Sequence, residues 1–208
     1  MKLGSSFLVP AGHDRVFAHF LDPDTMRVSV PGCTELDRAD PTHYRGLLVN
    51  EIAHVRFSAG FSAEITELRE PELVQALLKG EDHKLGSSIK IDARLAVRPD
   101  GAASSKVEYS LDVAIWGRIG RLGESLVRRR SQEVEKEFVA AFAEICAAGP
   151  PGPDNPGLGS VLERRSVSEK RRSVSEKHGV PEKHGPSPAA ERVSWWRRLL
   201  ARLFGKKS

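Results

Sequence analysis

Two periodicities divide this chain. Up to residue 116 apolar residues mostly alternate with polar ones; beyond it they recur every three or four positions. The alternation is clearest in Ile89, Ile91, Ala93, Leu95 and Val97, and again in Val107, Tyr109, Leu111, Val113 and Ile115. A period of two places such side chains on one face of a sheet. The pattern predicts strands over residues 2–9, 33–37, 43–50, 52–68, 73–80, 89–97 and 106–116. The longest should bend or bulge near Ala59-Gly60. Two short helices follow the first strand. One carries Val16, Phe17, Phe20 and Leu21 inward, with His13 and His19 on its outer face. The other starts at Asp22-Pro23, a capping side chain followed by proline at the first helical position, and ends at Pro31-Gly32.

Residues 117–147 read as one long helix. Ile119, Leu122, Leu126, Val134, Phe138, Phe142 and Ile145 form its stripe, and the Gly- and Pro-rich run from Gly149 stops it. The element order predicts an α+β fold, an antiparallel sheet wrapped on a long C-terminal helix. Such a sandwich leaves room for an apolar cavity. The inward candidates for its wall are Phe17, Phe20, Met26, Phe57, Phe61, Leu77, Ile91, Leu95, Tyr109, Leu111, Val113, Trp116, Leu122 and Leu126.

The expected organisation is a ligand-binding domain over residues 1–147, a disordered linker over 148–190 and an amphipathic helix over 191–205. The linker is rich in Pro, Gly, Ser and charge, and repeats the unit Arg-Arg-Ser-Val-Ser-Glu-Lys at residues 164–170 and 171–177. In the last segment Trp196, Leu199, Leu200, Leu203 and Phe204 share one helical face, widened by Trp195. Arg197, Arg198 and Arg202 fall on the other. Arginines break the apolar run, so it is too polar to span a bilayer and suits the headgroup interface. Each basic residue near an anionic leaflet adds about 1 kcal/mol, which predicts reversible binding.

Charge sharpens that division. Residues 1–149 hold 19 Lys and Arg against 22 Asp and Glu, a net of −3; residues 150–208 hold 13 against 6, a net of +7. The basic character belongs to the tail, which argues against a nucleic-acid-binding domain. Cys33 and Cys146 stand apart, with no Cys-x-x-Cys pair or Cys/His cluster, so no metal site or disulfide framework is expected. They suit a reducing cytosol. The first ten residues lack the apolar core of a signal peptide, which predicts a cytoplasmic protein, peripheral on the inner face of the membrane. No nucleophile elbow, P-loop or dinucleotide-binding glycine pattern is present, and no catalytic set is expected. Gly117, Gly120 and Gly123 leave space either for a ligand or for tight packing.

Several of these residues carry a resemblance. The Asp22-Pro23 helix start, Val30-Pro31-Gly32-Cys33 and the run Gly117-Arg-Ile-Gly-Arg-Leu-Gly-Glu-Ser-Leu-Val127 resemble the carbon monoxide dehydrogenase G-subunit (CoxG) family. That family lies within the START-like, helix-grip (SRPBCC) superfamily, and the resemblance covers residues 1–147. It implies a helix-grip fold with a hydrophobic cavity and no covalently bound cofactor. It also implies a partner, a CO-dehydrogenase-type molybdenum hydroxylase, and a hydrophobic small molecule, a quinone, as ligand. The leading expectation is therefore a non-enzymatic accessory protein that binds this ligand and rests on an anionic membrane surface. Two others stand beside it: a recruitment adaptor without ligand, and an enzyme like the polyketide cyclases.

Overall fold

The structure, a computed structural model, describes residues 1–177, with side chains to residue 168. The amphipathic segment 191–205 lies outside the described residues. The chain divides into a compact unit over Met1–Ser166 and a second over Val167–Ser208.

The first unit follows the predicted order. Strand β1 (Lys2–Val9) leads into α1 (His13–Leu21) and α2 (Pro23–Ser29). Strands β2 (Cys33–Arg38), β3 (His43–Ile52), β4 (Val55–Arg69), β5 (Leu73–Asp82), β6 (Ser87–Pro99) and β7 (Ser105–Trp116) come next. A single turn, α3 (Gly117–Gly120), precedes the long helix α4 (Glu124–Ala148). The strands form one antiparallel sheet in the order β1-β7-β6-β5-β4-β3-β2. The meander from β2 to β7 thus begins at one edge, and β1 closes the other edge beside β7. The Asp22 carboxylate caps α2, accepting the Thr25 amide at 2.8 Å, as the Asp-Pro signal predicts.

Pairing register fixes which side chains face α4. Ile91 pairs with Val113 and Leu78, Ala93 with Leu111 and Ala76, and Leu95 with Tyr109 and Val74. Directly paired residues point the same way, so the alternating series of β6 and β7 forms the concave face, as read from the sequence.

Three readings are corrected. Residues 52–68 are not one strand: Ala53 and His54 turn between β3 and β4 with φ of 48° and 66°. A two-residue turn of this kind normally advertises itself with Asn or Gly, and Ala-His does not. His19 lies inside, not on the outer face. It is 0% exposed, between Thr25 Oγ1 and the Gly149 carbonyl oxygen, each 2.9 Å from a ring nitrogen. Burial lowers its pKa, and its ring meets Phe142 edge-on. His19 stands three residues after Val16, on the same helical stripe, and the two hydrogen bonds offset its desolvation.

The third correction concerns residues 156–177, expected as disordered linker. They form a helix, α5 (Pro156–Lys177). Its start is built like that of α2. The Asn155 side chain accepts the Gly157 amide at 2.8 Å, and Pro156 occupies the first helical position. Asn155 also donates to the carbonyls of Ile145, Gly149 and Pro150. Leu158 and Val161 are buried with Val28 and Ile145. The domain therefore extends past residue 147, because two apolar residues in a polar stretch are enough to seat its first turns.

Candidate ligand-binding hollow

The two halves of α4 cover the sheet differently. In the C-terminal half, Phe138 and Phe142 stack at 5.2 Å, and Phe20 lies 4.3 Å from Phe142. These rings fill the space above Val9, Val97 and Val107, all 0% exposed. In the N-terminal half the residues turned inward are Val127, Ser131 and Val134, which are much smaller. The helix backbone runs closer to β1 and β3 than to the central strands.

The floor shows the consequence. Ile89, Ile91, Leu111 and Ile115 lie on the middle strands β6 and β7, yet each keeps part of its surface accessible. So do Leu78 on β5 and Phe61 on β4. A fully packed core would bury them as it buries Val97. These half-open apolar residues mark the space between the central strands and the first half of α4 as the candidate ligand hollow. The Phe61 ring lies over Gly46, where a Cβ would stand 2.7 Å from ring carbons. That glycine lets the aromatic ring lie against β3.

Polar pairs border the hollow. The Tyr109 hydroxyl hydrogen-bonds to Glu135 of α4; burial first, and this carboxylate second, push its pKa far above the usual phenol value. Arg130 donates from Nη2 and Nε to the Asn50 side-chain oxygen at 2.8 and 3.2 Å, tying α4 to β3. Asn50 in turn donates to the Pro31 carbonyl at 3.3 Å. The Val30–Cys33 turn is thereby joined to the helix. Gly32 takes φ +82° in that turn, pressed against the Val49 carbonyl.

The wall residues expected from the sequence separate into three groups. Phe57, Phe61, Ile91, Tyr109, Leu111 and Val113 share the concave face by register, and Leu122 follows α3 half-buried. Phe17, Phe20, Met26 and Leu95 belong to the filled core around Phe142. Leu77, Trp116 and Leu126 do not line the hollow. Leu77 pairs with Asp92 and Glu64 and so faces outward; its neighbour Leu78 takes the inward position. Trp116 pairs with Ser88 on the convex face and is 54% exposed. Leu126 is 40% exposed on α4. β5 carries apolar residues at both parities, so its register was not readable from alternation. Leu78, Ile89 and Ile115 were missed; for the last two, the alternating series already pointed to them.

Two of the glycines before α4 serve packing. A Cβ at Gly117, which has φ +78°, would stand 2.0 Å from the Gly86 carbonyl oxygen, and one at Gly120 2.7 Å from that of Ile115. Both thiols are buried, and desolvation raises their pKa values, that of Cys146 to about 12. Among the described residues no group of three His, Cys, Asp or Glu is placed to hold a metal. No described helix is long and apolar enough to cross a membrane. A separate surface cleft of about 490 Å³ lies at the α1 end, lined by Phe17, Leu21 and Pro71 but also by Asp14, Asp22, Arg38 and Glu70. Its charged wall does not suit an uncharged apolar molecule.

Known proteins share this architecture. A conserved protein from Geobacillus kaustophilus superposes with a TM-score of 0.66 at 16% identity, over 71% of this chain and 95% of that one. A START superfamily protein from Mycobacterium smegmatis gives 0.55 at 16% identity, over 68% and 94%. A protein from Chromobacterium violaceum gives 0.55 at 11% identity, over 71% and 99%. These likenesses establish the START-like, helix-grip fold. Comparison with curated proteins finds no match. The sequence profile of the carbon monoxide dehydrogenase G-subunit (CoxG) family matches residues 5–146, which span nearly all of the sheet and of α4. The chain therefore belongs to the CoxG family.

Proposed function

We propose that this protein is a non-enzymatic accessory of a CO-dehydrogenase-type molybdenum hydroxylase, carrying a quinone in the hollow under α4. The observation that supports this most is the half-buried apolar floor of the central strands, next to a filled core at the other end of the same helix. Apolar surface kept open inside a domain is costly unless something apolar covers it. A quinone fits the mixture of surfaces. Its hydrocarbon tail needs a dry, apolar lining, and its carbonyl oxygens accept hydrogen bonds. Arg130, at the border of the hollow, carries N–H donors beyond those it gives to Asn50. Membership of the CoxG family supplies the partner, since that family is named for carbon monoxide dehydrogenase.

The second part of the proposal is the anchor. The sequence pattern of residues 191–205, with two tryptophans on an apolar face and arginines opposite, suits reversible attachment to the inner, anionic leaflet. Attachment raises the effective concentration of hollow near the quinone pool. Mass spectrometry of the organic extract from protein purified out of its own cells tests the carrier. A lipoquinone recovered near one per chain is expected. Protein that is consistently free of any lipophilic molecule reduces the role to that of an adaptor.

A further inference from the structure

The carrier reading leaves Trp116 unexplained. The convex-face positions that precede it on β7 are Glu108, Ser110, Asp112 and Ala114, all polar or small. Trp116 then places an indole, 54% exposed, at the very end of the strand. The next residues are Arg118 and Arg121, both exposed and neither paired with a carboxylate among the described residues. Leu126 follows on the first turns of α4, 40% exposed. The nearest acid on this segment, Glu124, is already paired with Arg128 at 2.6 Å. Along the sequence, an exposed indole and a leucine thus alternate with guanidinium groups that form no ion pair among the described residues.

This segment packs against the Ile89 and Ile115 end of the floor. Ile119 is buried, and its amide is held by Ser87 Oγ at 3.1 Å. The paired Ile89 and Ile115 of the floor lie just behind it. The backbone of α3 abuts the β5–β6 turn through the Gly117–Gly86 contact, which brings the exposed Lys84 to the same end, together with the exposed Glu81, whose register partner Ser88 also pairs with Trp116. Tryptophan favours the bilayer interface, because an apolar ring and an N–H donor both find partners there. Arginine favours anionic headgroups. Two separated apolar side chains are too few for a stable protein interface, but they suffice for a shallow lipid contact reinforced by charge.

We infer that the α3 rim, Trp116, Arg118, Arg121 and Leu126, is a lipid-facing surface that sets the end of the hollow against an anionic bilayer. It rests on the carrier reading for its purpose, since a quinone leaving the bilayer for the hollow would cross this rim. It is distinct from the segment 191–205, because it belongs to the folded domain.

The chain has three tryptophans, so the full-length variant Trp195→Phe/Trp196→Phe leaves Trp116 as the sole reporter. Its emission is followed as vesicles of phosphatidylglycerol and phosphatidylcholine are added, some with brominated acyl chains, while sedimentation records binding. The expected result is a blue shift with bromine quenching. Adding Arg118→Glu/Arg121→Glu to that variant should raise the lipid needed by about tenfold or more. Trp116 emission that ignores the vesicles overturns the inference, whether or not the protein sediments with them. Sedimentation with silent Trp116 would leave the anchor and the carrier intact. A quenched Trp116 in protein that never yields a quinone on extraction would remove the carrier and keep the rim.

Discussion

Enlarging Ala93 should cost little, and that sets a hollow apart from an ordinary core. Ala93 lies in the middle of β6, half-buried, between its partners Leu111 and Ala76. Ala93→Leu adds three carbons. If they enter open space, apolar burial at about 0.8 kcal/mol per CH2 contributes up to about 2 kcal/mol. Ordering a leucine rotamer opposes this by about 0.5–1 kcal/mol. The net expectation for ligand-free protein is a change between zero and about 1.5 kcal/mol in favour of the fold. Val97 lies four residues along the same strand and the same face, and is 0% exposed. Val97→Phe adds a comparable bulk where no room exists, and should destabilise by about 1–3 kcal/mol. Urea unfolding of both variants gives the comparison, provided the denaturant slope stays constant. Ala93→Leu should also lower the lipid recovered on extraction, since it occupies the space. If Ala93→Leu destabilises as much as Val97→Phe, the floor is packed and the reasoning from partial exposure fails.

Three further outcomes follow from the geometry. His19 is held neutral by burial, so its folded pKa lies below the ordinary 6.5; the unfolded chain then takes up the extra proton, and stability should be whole above pH 6.5 and fall as pH drops toward the lowered value. His19→Gln should flatten that part of the pH–stability profile; an unchanged slope would contradict the assignment. Asn155→Ala removes one accepted hydrogen bond and the two N–H donors that Nδ2 shares among three carbonyls at the start of α5; it should cost about 1–3 kcal/mol and speed amide exchange over residues 156–166, whereas unchanged exchange would show that Leu158 and Val161 seat the helix alone. Gly117→Ala forces a Cβ against the Gly86 carbonyl in a left-handed backbone; thermal unfolding should show a loss of about 1–3 kcal/mol, and a neutral result would mean that α3 shifts freely.

Local chemistry explains which parts of this fold were legible in the sequence. β6 and β7 alternate without interruption, so their inward faces were readable residue by residue, and Asp22-Pro23 announces a helix that the Asp22 carboxylate does cap. β5 reads Leu-Val-Gln-Ala-Leu-Leu, apolar at both parities, and only pairing with β4 and β6 decides that Leu78 turns inward. The Ala53-His54 turn hides because its conformation is imposed by the strands it joins. α5 hides for the opposite reason. Its composition is that of a linker, and the sole signal is Asn155-Pro156, a cap and first-turn pair like that of α2. A hollow was an expectation of the fold class, and which residues would wall it was not legible. Separating Phe17 and Phe20, which fill the core, from Ile91 and Leu111, which stay half-open, requires knowing where α4 carries phenylalanine and where it carries valine and serine relative to the sheet.

The carrier claim meets its most direct test in a methyl-labelled NMR titration of delipidated protein with a short-chain naphthoquinone. The account predicts shifts confined to Ile89, Ile91, Leu78, Leu111 and Ile115, with Val9, Val107 and Ile145 still. Shifts absent from that set, or centred instead on Leu21 and Ala18 at the α1 cleft, would contradict it.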